Sequence, residues 1–322
     1  MKKFLISIDT EGDNFWEWTY GDKITTENSH YVPRFQNLCE KYGFKPTYLT
    51  NYEMACDNSF VSFAKKKLTT GSCEIGMHMH AWNSPPIYEL QNRMDIKPGD
   101  CSFLTEYPEK IIGQKVDYLT DFIEHRFGER PIVFRSGRWA MNNICFKALD
   151  KAGYIADCSV TPGMDMSMSR GFTENSFGTD YSKSPRNPYY IPNTSLLEIP
   201  MTVRENHCVK KDGNNSLKHR LRNVYKAMKG RGTVWLRPNR ENLRDLLYLT
   251  NVVKKEKHTD YLMFMLHTSE MMPGGSPTFR NDEDIEKLYE DLEVLFSAIY
   301  KDFEGCTISE YARQKRGSKL LK

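Results

Sequence analysis

The stretch "SCEIGMHMHAWNSPP" places His78 and His80 two residues apart, directly after an apolar run. Two imidazoles at that spacing are either an accident of a half-buried strand or two ligands aimed at one point. Near the start, "SIDTEGD" supplies Asp9, Glu11 and Asp13. Asp9 and Glu11 are two apart and share a face if the strand stays extended. Two imidazoles and a carboxylate form a common catalytic zinc set that leaves a position open for water. The plain alternatives are a solvated acidic turn and a satisfied histidine pair at a strand edge. "VFRSGRWAMN" adds Arg135, whose guanidinium at a strand end can pair with a carboxylate, lowering its pKa and fixing its orientation. Arg138, three residues on, reads as a surface salt bridge. "FMLHTSEMMPGGSP" puts His267 between an apolar strand and a glycine-containing loop. His125 falls in the last turn of a helix, where the dipole favours a cation, and His30, His207, His219 and His258 sit in polar segments. A G-x-S-x-G elbow is absent, as are the glycine-rich phosphate loops that would follow a strand.

These residues need a scaffold that brings distant segments together. Short apolar runs alternate with helix-period segments along the chain: "KFLISID", "PTYLTN", "CEIGMHMH", "PIVFRSG", "YIADCSV", "LLEIPMT", "GTVWLRP" and "YLMFMLH". Between several of them lie helical patterns such as "YPEKIIGQKVDYLTDFIEHRFG", where Ile111, Val116, Leu119, Phe122 and Ile123 recur on one face. Gly128, Gly153 and Gly230 stand where helix C-caps are expected. Alternation of this kind predicts an α/β fold with a parallel sheet, open or closed into a barrel. Ligands of such sheets gather at the C-terminal ends of the strands. Asp9 and Glu11, the two histidines, Arg135, Asp157 and His267 all terminate predicted strands, and that coincidence outweighs any single motif.

Composition narrows the classes. The 322 residues are 39% hydrophobic and 27% charged, which fits a folded soluble protein, and a net charge of +3 is too small for a general polyanion binder. No nucleic-acid partner is expected. The eight cysteines are scattered without a C-x-x-C pair, so a thiolate zinc site or a disulfide frame is not indicated. "MKKFLISIDTEGD" meets acids too soon for the roughly 7–15 apolar residues of an export signal, and no run approaches the roughly 20 needed to cross a bilayer. The expected location is cytoplasmic. One polar, Gly/Ser/Asn/Pro-rich loop, 161–191, is long enough to wall a substrate groove. Between Arg204 and Arg240 eleven Lys or Arg face only Glu205 and Asp212. That basic segment is either a solvated helix face with a buried Leu217/Leu221/Val224/Met228 stripe or a contact for a phosphate-rich ligand or anionic membrane surface.

Taken in order, "IDTEGD", "EIGMHMHAWNSPP", "FRSGRW", "GYIADCSVTPG" and "FMLHTSE" resemble the motifs of the polysaccharide deacetylase family, the NodB-type carbohydrate esterases, in particular a cytoplasmic branch associated with cell-surface glycan biosynthesis. The resemblance runs from Phe4 to about His267. It implies an irregular (β/α)7 barrel and a single catalytic domain over 1–311, followed by a basic tail, 312–322. It also implies Asp9 as catalytic base, Glu11 as metal ligand, His78 as the first metal histidine, Arg135 as the residue orienting the base and His267 as general acid. Asp9 and Glu11 could exchange roles. Most family members place their metal histidines four residues apart, where this chain has Trp82, and His80 is the substitute the resemblance implies for the second ligand position. The implied cofactor is a divalent metal, most readily zinc. The implied substrate is an N-acetylated amino sugar, free, lipid-linked or nucleotide-linked. Trp82, Trp139 and Asp157 are the expected substrate-binding residues, with Trp16 and Trp18 as further aromatics of the right type. Two other functions compete: a glycoside hydrolase using Asp9 or Glu11 with Asp157, and a carbohydrate-binding relative with an altered metal site.

Overall fold

The computed structural model describes residues 1–18, 21–97, 100–205 and 233–320, the side chains of 318–320 excepted. Most of the basic segment, with its expected helix and Gly230, lies outside the described residues. In chain order the elements are β1 (Lys2–Thr10), α1 (Val32–Lys41), β2 (Pro46–Thr50), α2 (Tyr52–Cys56), α3 (Asn58–Thr69), β3 (Glu74–Met79), α4 (Glu109–Phe127), β4 (Val133–Ser136), α5 (Asn143–Lys151) and β5 (Ala156–Asp157). After the long loop come β6 (Tyr189–Tyr190), β7 (Leu197–Glu198), β8 (Val203–Glu205), β9 (Thr233–Trp235), α6 (Leu243–Lys255), β10 (Tyr261–His267), α7 (Asp282–Ile299), β11 (Phe303–Gly305) and α8 (Ile308–Leu320).

The main sheet runs β10-β1-β2-β3-β4-β5-β7 with every neighbouring pair parallel; β6 adds an antiparallel edge and β11 pairs with the start of β1. The sheet curls, and the opening between β7 and β10 is bridged by single hydrogen bonds. Leu236 N–H donates to Thr202 O at 3.0 Å and Met265 N–H donates to Leu236 O at 3.1 Å. Strand alternation divides the apolar residues between two layers. Phe4, Ile6 and Ile8 of β1 join the cluster that includes Phe35 of α1 and Phe296 of α7, between sheet and helices. Leu5, Leu49, Val133, Ala156, Met263 and Met265 form a second cluster inside the curl. Gly76 lies in that inner phase of β3: a Cβ there would sit 2.7 Å from Leu49 Cδ2 and 2.9 Å from Val133 O. Only glycine lets β2, β3 and β4 close this tightly.

Local chemistry sets the helix ends. Asn51, Asp57, Asn142 and Asn281 each accept a backbone N–H of the first turn. Gly128 ends α4 at φ 84°, the left-handed conformation that favours glycine. In α4 Ile112, Val116, Leu119, Ile123 and Phe127 are buried, with Ile111 and Phe122 partly buried against the same cluster. The loop 161–191 folds back on itself through the bridges Asp165↔Asp180 and Arg170↔Phe177. It is tied down by the Glu106 carboxylate, which accepts from the backbone N–H groups of Phe172 and Thr173. The expected boundary after residue 311 falls within α8, where Tyr311 and Ala312 are both buried against the inner cluster. No helix is long and apolar enough to cross a membrane among the described residues.

Candidate metal centre

The parity that sends Leu5 inward sends Ser7 and Asp9 inward too, at the C-terminal mouth of the curl. The same phase carries Gly76 and His78 on β3, Val133 and Arg135 on β4, and Met265 and His267 on β10. Register completes the arrangement, because Asp9 stands opposite His267 and His78 opposite Arg135. Glu11 lies one step past β1 in the same phase and is held by its backbone: its N–H donates to Thr268 Oγ1 (3.2 Å), and its carbonyl accepts from Asn28 Nδ2 (2.7 Å).

Glu11, His78 and His80, all buried, converge so that one ligand atom from each lies within 4.8 Å of the others. Glu11 Oε2 is 3.2 Å from His78 Nε2 and 2.7 Å from His80 Nε2, and the two Nε2 atoms are 2.9 Å apart. His78 Nδ1–H donates to the carbonyl of Arg135 at 3.0 Å, which leaves its Nε2 lone pair free. Phe15 stacks on the His80 ring, 4.9 Å between centroids, and Trp82 meets it edge-on at 4.3 Å. A carboxylate oxygen and two imidazole Nε2 atoms facing one point fit a divalent ion of zinc type, which both rings would bind in the neutral form.

Electrostatics act through burial and neighbours together. Burial alone would raise the Glu11 carboxyl, but the adjoining His80 and His78 outweigh it and hold the group well below its ordinary pKa. Asp9 is likewise pushed up by burial and pulled down further by the Arg135 guanidinium, with a net lowering. For His78, burial disfavours the cation, yet Asp9 and Glu11 prevail and its pKa is raised. Burial wins at His80, whose pKa is lowered.

Arg135 is completely buried beneath the site. Nη1 donates to Asp9 Oδ1 at 2.5 Å, Nη2 to Ser7 Oγ at 2.8 Å and Nε to the Cys158 carbonyl at 3.0 Å. Across the mouth, His267 Nε2 lies 3.8 Å from both Asp9 Oδ2 and Glu11 Oε1. Its Nδ1 is fixed by Glu270 Oε2 at 2.9 Å, and Arg237 Nη2 donates to the other Glu270 oxygen at 2.9 Å. Burial would raise Glu270, but Arg237 and His267 bring its pKa down to about 2.

Asp9, Glu11, His78, His80, Arg237 and His267 line a cavity of about 290 Å³, with Trp16, Trp82 and Trp139 among its walls; Arg135 and Glu270 lie behind it. Trp16 is 43% exposed and Trp139 is partly buried, whereas Trp18 is packed behind Phe15 and Trp82. Asp157 lies outside this cavity. Ala156 and Cys158 point into the inner cluster, so alternation turns Asp157 to the other face of β5. There its carboxylate accepts from Ser159 Oγ at 2.7 Å. Burial raises the pKa of both Asp157 and its neighbour Glu198. Arg138 differs from expectation as well: it is half-buried in the cavity wall and donates to the carbonyls of Cys101 and Arg170. Arg138 and Trp139 both adopt positive φ, 57° and 61°, a conformation that costs about 1–3 kcal/mol per residue. Tyr181 from the long loop holds the turn by donating to the Trp139 carbonyl at 2.5 Å. Glu270, Arg237 and Phe15 were not singled out by the sequence patterns; the H-x-x-E spacing of His267 and Glu270 is the one local signal of their pairing.

No family model matches the sequence, and no curated protein matches it. Solved structures do. A Mycobacterium smegmatis protein provisionally described as a polysaccharide deacetylase is 14% identical, covers 99% of this chain and 92% of its own, and superposes with a TM-score of 0.55. A 4-alpha-glucanotransferase from Thermococcus litoralis (14%, TM-score 0.53) covers 97% of this chain but 40% of its own length. A GH57 branching enzyme from Thermococcus kodakaraensis (11%, TM-score 0.50) covers 97% and 71%. The fold is therefore the irregular barrel of the polysaccharide deacetylase type, a scaffold shared with the 4-alpha-glucanotransferase and the branching enzyme.

Proposed function

We propose that the protein is a metal-dependent hydrolase that removes the N-acetyl group from an amino sugar of a glycan or glycan precursor. The observation carrying this reading is the convergence, in one cavity, of Glu11, His78 and His80 with Asp9, backed by Arg135, on one side and His267, backed by Glu270, on the other. A divalent ion held by the triad, zinc by its donor set, would supply Lewis acidity for the amide carbonyl and the attacking water. Asp9, kept ionised by Arg135, accepts the proton of that water. His267, anchored through Nδ1 by the Glu270 carboxylate, directs Nε2 into the cavity and, when protonated, donates to the departing amine. Acetate and the free amino sugar are the products. Trp16 and Trp139 offer faces on which a sugar ring can stack.

The glycoside hydrolase alternative pairs Asp9 or Glu11 with Asp157, and these do not border a common cavity. The test combines metal analysis with acetate release from N-acetylated oligosaccharides. We expect one divalent ion per chain, lost from His78→Ala and from His80→Ala, and loss of acetate release on chelation. Unchanged metal content in both variants would overturn the reading. A retained ion with no acetate released from any N-acetylated glycan would favour the carbohydrate-binding alternative.

A further inference from the structure

Arg138 is among the residues that line the cavity, and the deacetylation chemistry leaves its guanidinium unused. Arg135 is matched by Asp9, and Arg237 by Glu270. Arg138 has no such partner: among the described residues no carboxylate oxygen lies within ion-pair distance of it. Nη1 donates to the Cys101 carbonyl and Nη2 to the Arg170 carbonyl at 3.0 Å, both neutral, and the guanidinium lies over the Phe103 ring at 4.1 Å. Besides the Cys101 thiol, two carboxylates have fields that reach Arg138, and both are engaged elsewhere. Asp100 pairs with Arg93, and Glu106 accepts from the backbone of Phe103, Phe172 and Thr173. Of the five guanidinium N–H donors, these carbonyl contacts occupy two.

The backbone commits this cation to the site. Arg138 follows Gly137, where a Cβ would lie 2.7 Å from Met79 O and 3.0 Å from the His80 ring. The turn thus rests directly on a member of the metal triad, and Arg138 and Trp139 hold their left-handed conformations above it. A half-buried guanidinium without a counter-charge is costly, and a planar anion placed against its remaining donors is the natural complement.

We propose that Arg138 binds an anionic group of the substrate, so that the substrate carries a carboxylate or a phosphate close to the N-acetyl group acted on. This rests on the deacetylase reading. The shared chemistry is an oxyanion taken up by an arginine fork; the two sources, a uronate in the glycan or the phosphate of an activated or carrier-linked sugar, are separated by experiment.

The zinc-loaded protein is given three probes: triacetylchitotriose (neutral), a hyaluronan tetrasaccharide (carboxylate) and UDP-N-acetylglucosamine (phosphate). Acetate release is measured for each, and binding is measured by calorimetry on the Asp9→Asn variant, where turnover is blocked. One anionic probe is expected to bind about tenfold or more tighter than chitotriose, and which one identifies the source. Arg138→Gln should weaken the preferred anionic probe about tenfold more than the neutral one, through KM rather than kcat, and Arg138→Lys should retain part of the preference. Equal affinity of wild type for all three probes, or equal weakening of neutral and anionic probes in the variants, overturns the proposal. Acetate release from chitotriose without any anion preference would sink this inference and leave the deacetylase reading intact. Arg138-dependent binding of an anionic probe with no acetate released from any substrate would do the reverse.

Discussion

Replacing Arg135 by methionine should expose how strongly Asp9, the proposed catalytic base, depends on its partner. The guanidinium is fully buried and makes its shortest contact, 2.5 Å, with Asp9 Oδ1. Removing it strands a carboxylate inside the curl, and breaking a buried pair from one side costs about 3–5 kcal/mol. The penalty should depend on pH. Asp9 is held below its ordinary pKa in the fold, so its contribution is present above the unfolded value of about 3.9 and is lost as pH falls through the folded value. Without Arg135, burial dominates and the Asp9 pKa rises. The stability lost in Arg135→Met should therefore be greatest near pH 7 and shrink towards pH 4 as Asp9 takes up a proton. Urea unfolding of chelator-treated protein measures this for wild type, Arg135→Met, Asp9→Asn and the double variant. If the two groups act as a pair, the double variant loses less than the sum of the singles by about 2 kcal/mol or more. Additive losses with no pH dependence would refute the account of Asp9 as a base kept ionised by Arg135.

Glu270, with a pKa of about 2 against an ordinary 4.5, should contribute about 3 kcal/mol above pH 5 that disappears as pH falls towards 2. Glu270→Gln should flatten the acid limb of the stability curve, followed by unfolding titrations, and lower kcat by on the order of tenfold or more. Gly76→Ala should cost about 1–3 kcal/mol, because its methyl meets Leu49 and the Val133 carbonyl; an unchanged urea midpoint would contradict the close approach. Zinc at a hundred times its Kd should stabilise the wild type by about 2.7 kcal/mol, seen as a raised Tm, and should do nothing for His78→Ala.

Parallel strands deliver their C-terminal ends to one side, so residues such as Asp9, His78, Arg135 and His267 were legible as a group from chain position alone. What position does not encode is the face. Asp157 also follows an apolar run, yet its strand is only two residues long and its phase is opposite, so the same rule carried it away from the cavity. Pairings between strands far apart in sequence were equally hidden. Arg237 reaches Glu270 because Leu236 bridges to β10, a neighbour relation that no local pattern announces. Arg138 lies three residues beyond Arg135, and its partners are carbonyls brought up by two separate loops, which is why a salt bridge was the natural expectation. The C-terminal elements follow ordinary periodicity, with Ile285, Leu288, Leu292, Leu295, Phe296 and Ile299 buried along α7, but they carry no motif that would draw attention.

The position of β1 has a consequence for how the chain reaches its native state. Its lateral partners include β10, about 260 residues later, and β11, later still. At 5–20 residues per second, the ribosome needs roughly 15–50 s to synthesise that intervening stretch. During that interval the backbone edge of β1 that will meet β10 stays unpaired, although β2 already lies on its other side. Slow, long-range closure of this kind leaves a newborn strand open to wrong partners, so chaperone demand during synthesis should fall on the first ten residues, the same ten that carry Asp9.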